Sequence, residues 1–222
     1  MMILGIYGTG GAGREVVEIA TTCAQGASPA FAVVFIDDFK NGETLYDAEV
    51  LSFDTFTAMH PAPKARIVIG VGEPALRRAL WVKSLNAGYQ MQTLIHPEAV
   101  VSTRAVIGQG SIIRHGVFVS CDCVIGNNVD IQVNSYIGHD SAIGDHSEIC
   151  ALVTIGGNCS LAEEVFVGQG SAIREHTTIG RRSIIGMGSS VVSSFPEESV
   201  LLGNPAKLIR KNDIGKVFNT DL

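Results

Sequence analysis

A histidine followed at once by an aspartate, His139-Asp140, with a glycine eighteen positions on at Gly157, is a set of residue types able to move an acyl group. Transfer to an amine or hydroxyl needs a base for the nucleophile's proton, and imidazole titrates near neutral pH. A neighbouring carboxylate fixes the tautomer of the ring. A glycine leaves its backbone N–H open to the oxygen that becomes negative in the tetrahedral intermediate. The plainer reading makes His139 one of four histidines, with His115, His146 and His176, on exposed corners. A zinc site built from His115, His139 and His146 is disfavoured, because the three fall in different columns of the repeat described below.

A second set lies near the start. Gly8, Gly10 and Gly13 follow the short apolar run Ile3 to Tyr7 and precede helical spacing of Val16, Val17, Ile19 and Ala20 within Arg14 to Cys23. Backbone N–H groups at such a helix start accept phosphate. Asp37 ends a second apolar run, Phe31 to Ile36, and lies 24 residues after Gly13, near the spacing of a ribose-binding acid. A nucleotide or nucleotide-sugar site is expected; NAD, or a tight turn with no ligand, are the other readings. The elements after Asn41 look too short for a full six-strand NAD domain.

The elements that must hold these residues have two different periods. Every sixth residue from Val101 to Val191, sixteen in all, is Ile, Val or Leu. At one chance in three per position such a run has a random probability on the order of 10⁻⁸, so the period is six. Two residues before each anchor from Ile107 onward sits Ala, Ser, Val, Cys or Thr. Six residues suit a short strand and a corner, with three units to a triangular coil, and residues eighteen apart then stack about 4.8 Å apart. His139 should lie outside, under Cys121 and over Gly157, with Asp140 over Asn158.

The first half instead alternates strand and helix. A third strand, Arg66 to Val71, leads to a helix ending near Asn86 whose Leu76, Leu80 and Leu85 should form its apolar face. The expected fold is therefore α/β plus all-β: a small Rossmann-like α/β domain over 1–95, then a left-handed parallel β-helix and short C-terminal tail over 96–222. His96-Pro97-Glu98 marks the boundary.

Composition narrows the partners. With 16 Lys+Arg against 22 Asp+Glu, the formal net charge is -6, opposite to the footprint of a nucleic-acid binder. No apolar run has the length to cross a bilayer, and Met1 to Gly11 lacks the basic start of a signal peptide, so a cytoplasmic location is expected. Five cysteines without a Cys-x-x-Cys read as reduced packing residues rather than a disulfide or zinc framework.

Residues 100 to about 192 resemble the hexapeptide-repeat superfamily, whose fold is the left-handed β-helix and most of whose members transfer acyl groups. The whole chain resembles the bacterial nucleotide-sugar and sialic-acid O/N-acetyltransferase family. The shared marks are Tyr7-Gly8-x-x-Gly11-x-Gly13, Ile36-Asp37-Asp38, Ile69-Gly70, Leu94-Ile95-His96-Pro97, Gly138-His139-Asp140 and Gly203-Asn204-Pro205-Ala206-Lys207.

The resemblance implies N-acetylation of a UDP-linked 4-amino sugar by direct attack, with acetyl-CoA as co-substrate, no metal, and a homotrimer whose sites lie between subunits. It implies His139 as base, Asp140 beside it and Gly157 as oxyanion donor. It places the acceptor on Gly10, Gly11, Ala12, Asp37, Asp38 and Gly70, and acetyl-CoA on Glu148, Gln169, Met187 and Lys207. Ala151 shares a column with Gln169 and Met187, and basic residues such as Arg174, Arg181, Arg210 and Lys211 gather toward the C-terminal end, where phosphates could sit. Two departures stand out: Gly10-Gly11-Ala12-Gly13 replaces the usual Ser-Gly-His-Gly, and Glu148 stands where many members have a second histidine. The alternatives are O-acetylation of a sialic acid or other sugar hydroxyl, and a non-catalytic trimeric nucleotide-sensing module.

Overall fold

The computed structural model describes residues 2–24 and 31–218; the expected tail to residue 222 falls partly outside this range. The first half is a sheet flanked by helices. Its elements are β1 (Met2–Tyr7), α1 (Gly11–Ala24), β2 (Phe31–Ile36), β3 (Thr44–Leu45), β4 (Ala48–Leu51), α2 (Phe53–Met59), β5 (Ala65–Ile69), α3 (Pro74–Asn86) and β6 (Gln90–Met91). Six strands lie in the order β3-β4-β2-β1-β5-β6, all pairs parallel except β3 with β4. The β3–β4 hairpin and α2 were not expected. The signal for α2 is Ser52, whose hydroxyl accepts the Thr55 N–H as an N-cap.

Helix α3 overturns one expectation. Its buried face is Arg77, Trp81 and Ser84, whereas Leu76 and Leu85 are exposed. A buried arginine is tolerated because backbone carbonyls take its guanidinium N–H groups. The leucine spacing alone therefore picked the wrong face.

The second half is a three-sided parallel β-helix. Two-residue strands pair with those eighteen positions away, as Tyr136 pairs Thr154 and Ile137 pairs Ile155. Pairing begins at Leu94–Ile95. The sixfold anchors fill one core; Ile131, Ile149, Ile155 and Ile185 are fully buried. The small corner residues are buried too, and their serines do more than save space. Ser141 donates to the Gly156 carbonyl and accepts the Cys159 N–H, and Ser135, Ser147 and Ser171 repeat the pattern. These serines thus satisfy corner backbone groups that the strand ladders do not reach.

A further column sets the turns. From Gly110 to Gly188, every sixth residue has φ between 54° and 68°. Most of this column is Gly, Asn or Asp, the types that adopt left-handed backbone most readily. Asp140, with φ 57°, is one of them. A hairpin of Ser199–Gly203 and Ala206–Lys211 closes the last coil on the face that carries Ile184–Ile185.

Candidate active site

A cavity of about 410 Å³ opens at the carboxyl ends of β1, β2 and β5, where open α/β sheets bind ligands. It is lined by Tyr7 to Ala12, Asp37, Asp38, Gly70 and Gly72, with Leu76 and Leu80 as apolar wall. All six sequence-designated acceptor residues therefore meet in one cavity. Helix α1 begins at Gly11, earlier than expected, and the Arg14 N–H bonds the Gly10 carbonyl. The N–H groups of Gly11, Ala12 and Gly13 form the unpaired first turn.

The loop glycines divide by role. A Cβ on Gly13 would lie 2.0 Å from the Gly8 oxygen, and one on Gly70 would lie 2.7 Å from the Gly13 Cα, so the fold itself requires these two. A Cβ on Gly10 or Gly11 would meet nothing within 4 Å. Their bareness serves the cavity rather than the packing.

The two aspartates are held differently. Asp37 accepts from Thr9 Oγ1 and from the Phe39 N–H. Asp38 accepts from Tyr7, Lys83 and the Phe53 N–H, at 3.0, 2.9 and 2.7 Å. Burial alone would raise the Asp38 pKa, but these donors pull it below the ordinary carboxylate value. Burial also pushes the Tyr7 phenol up to about 12. Phe39, at the mouth, is 98% exposed, a bare aromatic face of the kind on which bases stack.

A buried polar seam joins this cavity to the β-helix. Arg77 donates to the Ile69 and Val71 carbonyls on one side and to Asn128 on the other. Arg114 makes a bidentate pair with Asp130 at 2.8 and 2.7 Å and reaches Glu15 on α1. Glu148 lies fully buried among them, its Oε2 3.7 Å from Arg77 and its Oε1 accepting from Gln132 at 2.6 Å. Burial and then Asp130 push its pKa up to about 8, against the pull of Arg77 and Arg114.

An acid whose pKa rises on folding takes up a proton wherever the pH lies between its unfolded and folded values, so its contribution to stability falls as pH rises. For Glu148 the window runs from 4.5 to about 8. In Glu148→Gln that titration is gone. The variant's Tm minus the wild type's should grow more positive across the window and level off above it; a difference flat in pH would refute the buried protonated acid.

On the β-helix, His139 and Asp140 form a corner and are each half-exposed. His139 Nδ1 lies 2.8 Å from Asp140 Oδ2. A carboxylate only accepts, so Nδ1 carries the proton and Nε2 keeps its lone pair. The ring rests over Gly157, where a Cβ would be 2.7 Å from both Cε1 and Nε2. The expected stacking holds: the Asn158 N–H bonds the His139 carbonyl, and the Asp140 N–H bonds that of Cys121. Among the described residues the Gly157 N–H donates to no group.

The donor candidates separate. Ala151, Gln169 and Met187 stack along one corner, the Gly170 and Gly188 N–H groups bonding the Ala151 and Gln169 carbonyls. Gln169 and Met187 are exposed, and Lys207 is exposed on the closing hairpin. Glu148 is instead enclosed by the seam. Sequence reasoning missed Thr9, Lys83, Arg77, Arg114 and Gln132, since each acts through partners distant in the chain. A separate trio, His96, Glu98 and His115, has ligand-type atoms within 4.8 Å of one another.

Residues 4–84 match the family of PglD N-terminal domains. GDP-perosamine N-acetyltransferase of Escherichia coli O157:H7 is 31% identical over 137 residues, an alignment covering 61% of this chain and 62% of that protein. The chain thus aligns with about three-fifths of the length of that curated relative. Among solved structures, the acetyltransferase domain of PglB from Neisseria gonorrhoeae FA1090 has a TM-score of 0.86 at 28% identity, covering 94% of this chain and 100% of that one. PerB from Caulobacter crescentus, in complex with CoA and GDP-perosamine, has a TM-score of 0.86 at 27% identity, covering 94% and 97%. Among the described residues no helix is long and apolar enough to cross a membrane.

Proposed function

This chain joins an N-terminal domain of the PglD family to a hexapeptide-repeat β-helix, and from that premise we propose that it transfers an acetyl group from acetyl-CoA to the amine of a nucleotide-linked amino sugar. The observation that carries the chemistry is the His139 imidazole, fixed by Asp140 with Nε2 free above Gly157. The amine attacks the thioester carbon, the C–N bond forms, and His139 Nε2 takes the amine's proton. The C–S bond then breaks as the carbonyl re-forms, and the proton passes to the departing thiolate. The Gly157 N–H is the donor to the transient oxyanion.

The acceptor's diphosphate fits the first turn of α1, its ribose Asp37, and its base the exposed ring of Phe39. Uridine is the expectation from the sequence resemblance, whereas the Escherichia coli enzyme is named for GDP-perosamine and PerB holds that sugar in its complex. The donor fits the corner Ala151, Gln169 and Met187, with Lys207 toward its phosphates. The proposed location is the cytoplasm. Mass spectrometry of UDP- and GDP-linked 4-amino sugars incubated with acetyl-CoA tests this reading: an N-acetylated product with either nucleotide supports it. Acetylation of a hydroxyl alone contradicts it.

The proposed assembly is a homotrimer. Val100, Phe118 and Tyr136 stack outward on one face, Phe118 and Tyr136 with ring centroids 5.6 Å apart, and all three are exposed in the single chain. A contiguous apolar face marks an interface. Sedimentation at micromolar concentration should give a trimer; a stable monomer would contradict a site shared between subunits.

A further inference from the structure

Glu148 also decides where Gln132 points. The Ala151 N–H can only donate, and it lies 3.2 Å from Gln132 Oε1, so the amide oxygen must face it. The amide nitrogen therefore faces Glu148, whose Oε1 accepts at 2.6 Å. This arrangement engages the carbonyl and one of the two N–H bonds. The second N–H meets no acceptor among the described residues.

Gln132 is half-buried and walls a cavity of about 340 Å³ between α1 and the β-helix, with Ile19, Val133 and Ala151 as apolar neighbours. The cavity lies at the foot of the corner that rises through Ala151, Gln169 and Met187. Of the cationic and imidazole groups on its wall, Arg114 is held by Asp130 and Glu15, and His115 Nδ1 is 2.8 Å from Glu98. His96 Nδ1 accepts the Glu98 N–H.

We propose that, at the site shared between subunits, Gln132 of one protomer offers its second amide N–H to the carbonyl oxygen of an acyl donor whose thioester faces His139 and Gly157 of its neighbour, with Glu148 as the positioning residue that holds the amide. The inference rests on the acetyl-transfer reading, and it gives Glu148 a part that does not require it to touch acetyl-CoA. The bond strengthens as the carbonyl oxygen gains charge, so it acts on both donor binding and rate.

Free CoA lacks the carbonyl, which supplies the test. Gln132→Ala should weaken acetyl-CoA binding about threefold to tenfold relative to CoA by calorimetry, and lower kcat about 10²-fold. Glu148→Ala should reproduce the loss of kcat, the double variant should add little to it, and Glu148→Gln, which keeps an acceptor for the amide, should recover part of it. Equal weakening of both ligands by Gln132→Ala would mean a merely structural residue and overturn the proposal. So would an unchanged kcat and binding ratio. A wild type that distinguishes acetyl-CoA from CoA through Gln132 yet acetylates no acceptor would overturn the parent reading and sustain this one.

Discussion

Replacing His139 by alanine is expected to lower kcat about 10²- to 10⁴-fold, the range for loss of a general base. The side chain is half-exposed and belongs to no hydrophobic cluster, so Tm and oligomeric state should not move. KM for both substrates should stay within about twofold, because the base acts on a proton rather than on binding. Asp140→Asn should cost less: an amide pairs with either tautomer of the ring, so part of the population keeps Nε2 unprotonated. A His139→Ala protein that keeps near-wild-type kcat from about pH 6 to 9 would eliminate this mechanism while leaving the fold and the acceptor cavity in place.

Gly11→Val should remove acceptor binding while sparing the donor. The new side chain meets open space within the fold, since a Cβ at Gly11 has no neighbour within 4 Å, so the folded domain tolerates it. It does enter the cavity beside the free N–H groups of the α1 first turn, where a diphosphate would lie. Calorimetry should show the nucleotide sugar's affinity falling at least about 10²-fold, as expected when several charge-assisted hydrogen bonds are lost together. Acetyl-CoA affinity and Tm should be nearly unchanged. Gly13→Val is the contrasting control: its clash with the Gly8 carbonyl should destabilise the domain outright. Equal loss of both ligands in a stable Gly11→Val protein would show that the substrates are assigned to the wrong domains.

The β-helix was legible because one side chain in six must point inward, and the requirement repeats sixteen times without a break. The register followed from the same count, and with it the stacking of His139 over Gly157. A second repeat in the sequence, the Gly, Asn and Asp column from Gly110 to Gly188, also encodes the corners. It explains why the residue after His139 is one that readily adopts left-handed backbone. The acceptor loop was legible for a comparable reason, since phosphate binding needs bare backbone N–H groups at a helix start.

What stayed hidden involves partners far apart in sequence. The buried face of α3 is built on Arg77, which no hydrophobic pattern can nominate, because its burial depends on carbonyls of β5 and on Asn128. Glu148 read as a substitute for a histidine that contacts acetyl-CoA, yet it lies in a seam that exists only once the two domains are docked. Gln132 carried no signal at all. Its orientation is fixed by Ala151 and Glu148, nineteen and sixteen residues away.

Thiol release from acetyl-CoA, followed with UDP- and GDP-linked 4-amino sugars and with the matching 4-hydroxy sugars, tests the central claim most directly. Stoichiometric release of CoA thiol is expected with at least one amino sugar, none with its hydroxyl counterpart, and near-complete loss of release in His139→Ala. Release with no amino sugar of either nucleotide, or release that His139→Ala leaves untouched, would contradict it.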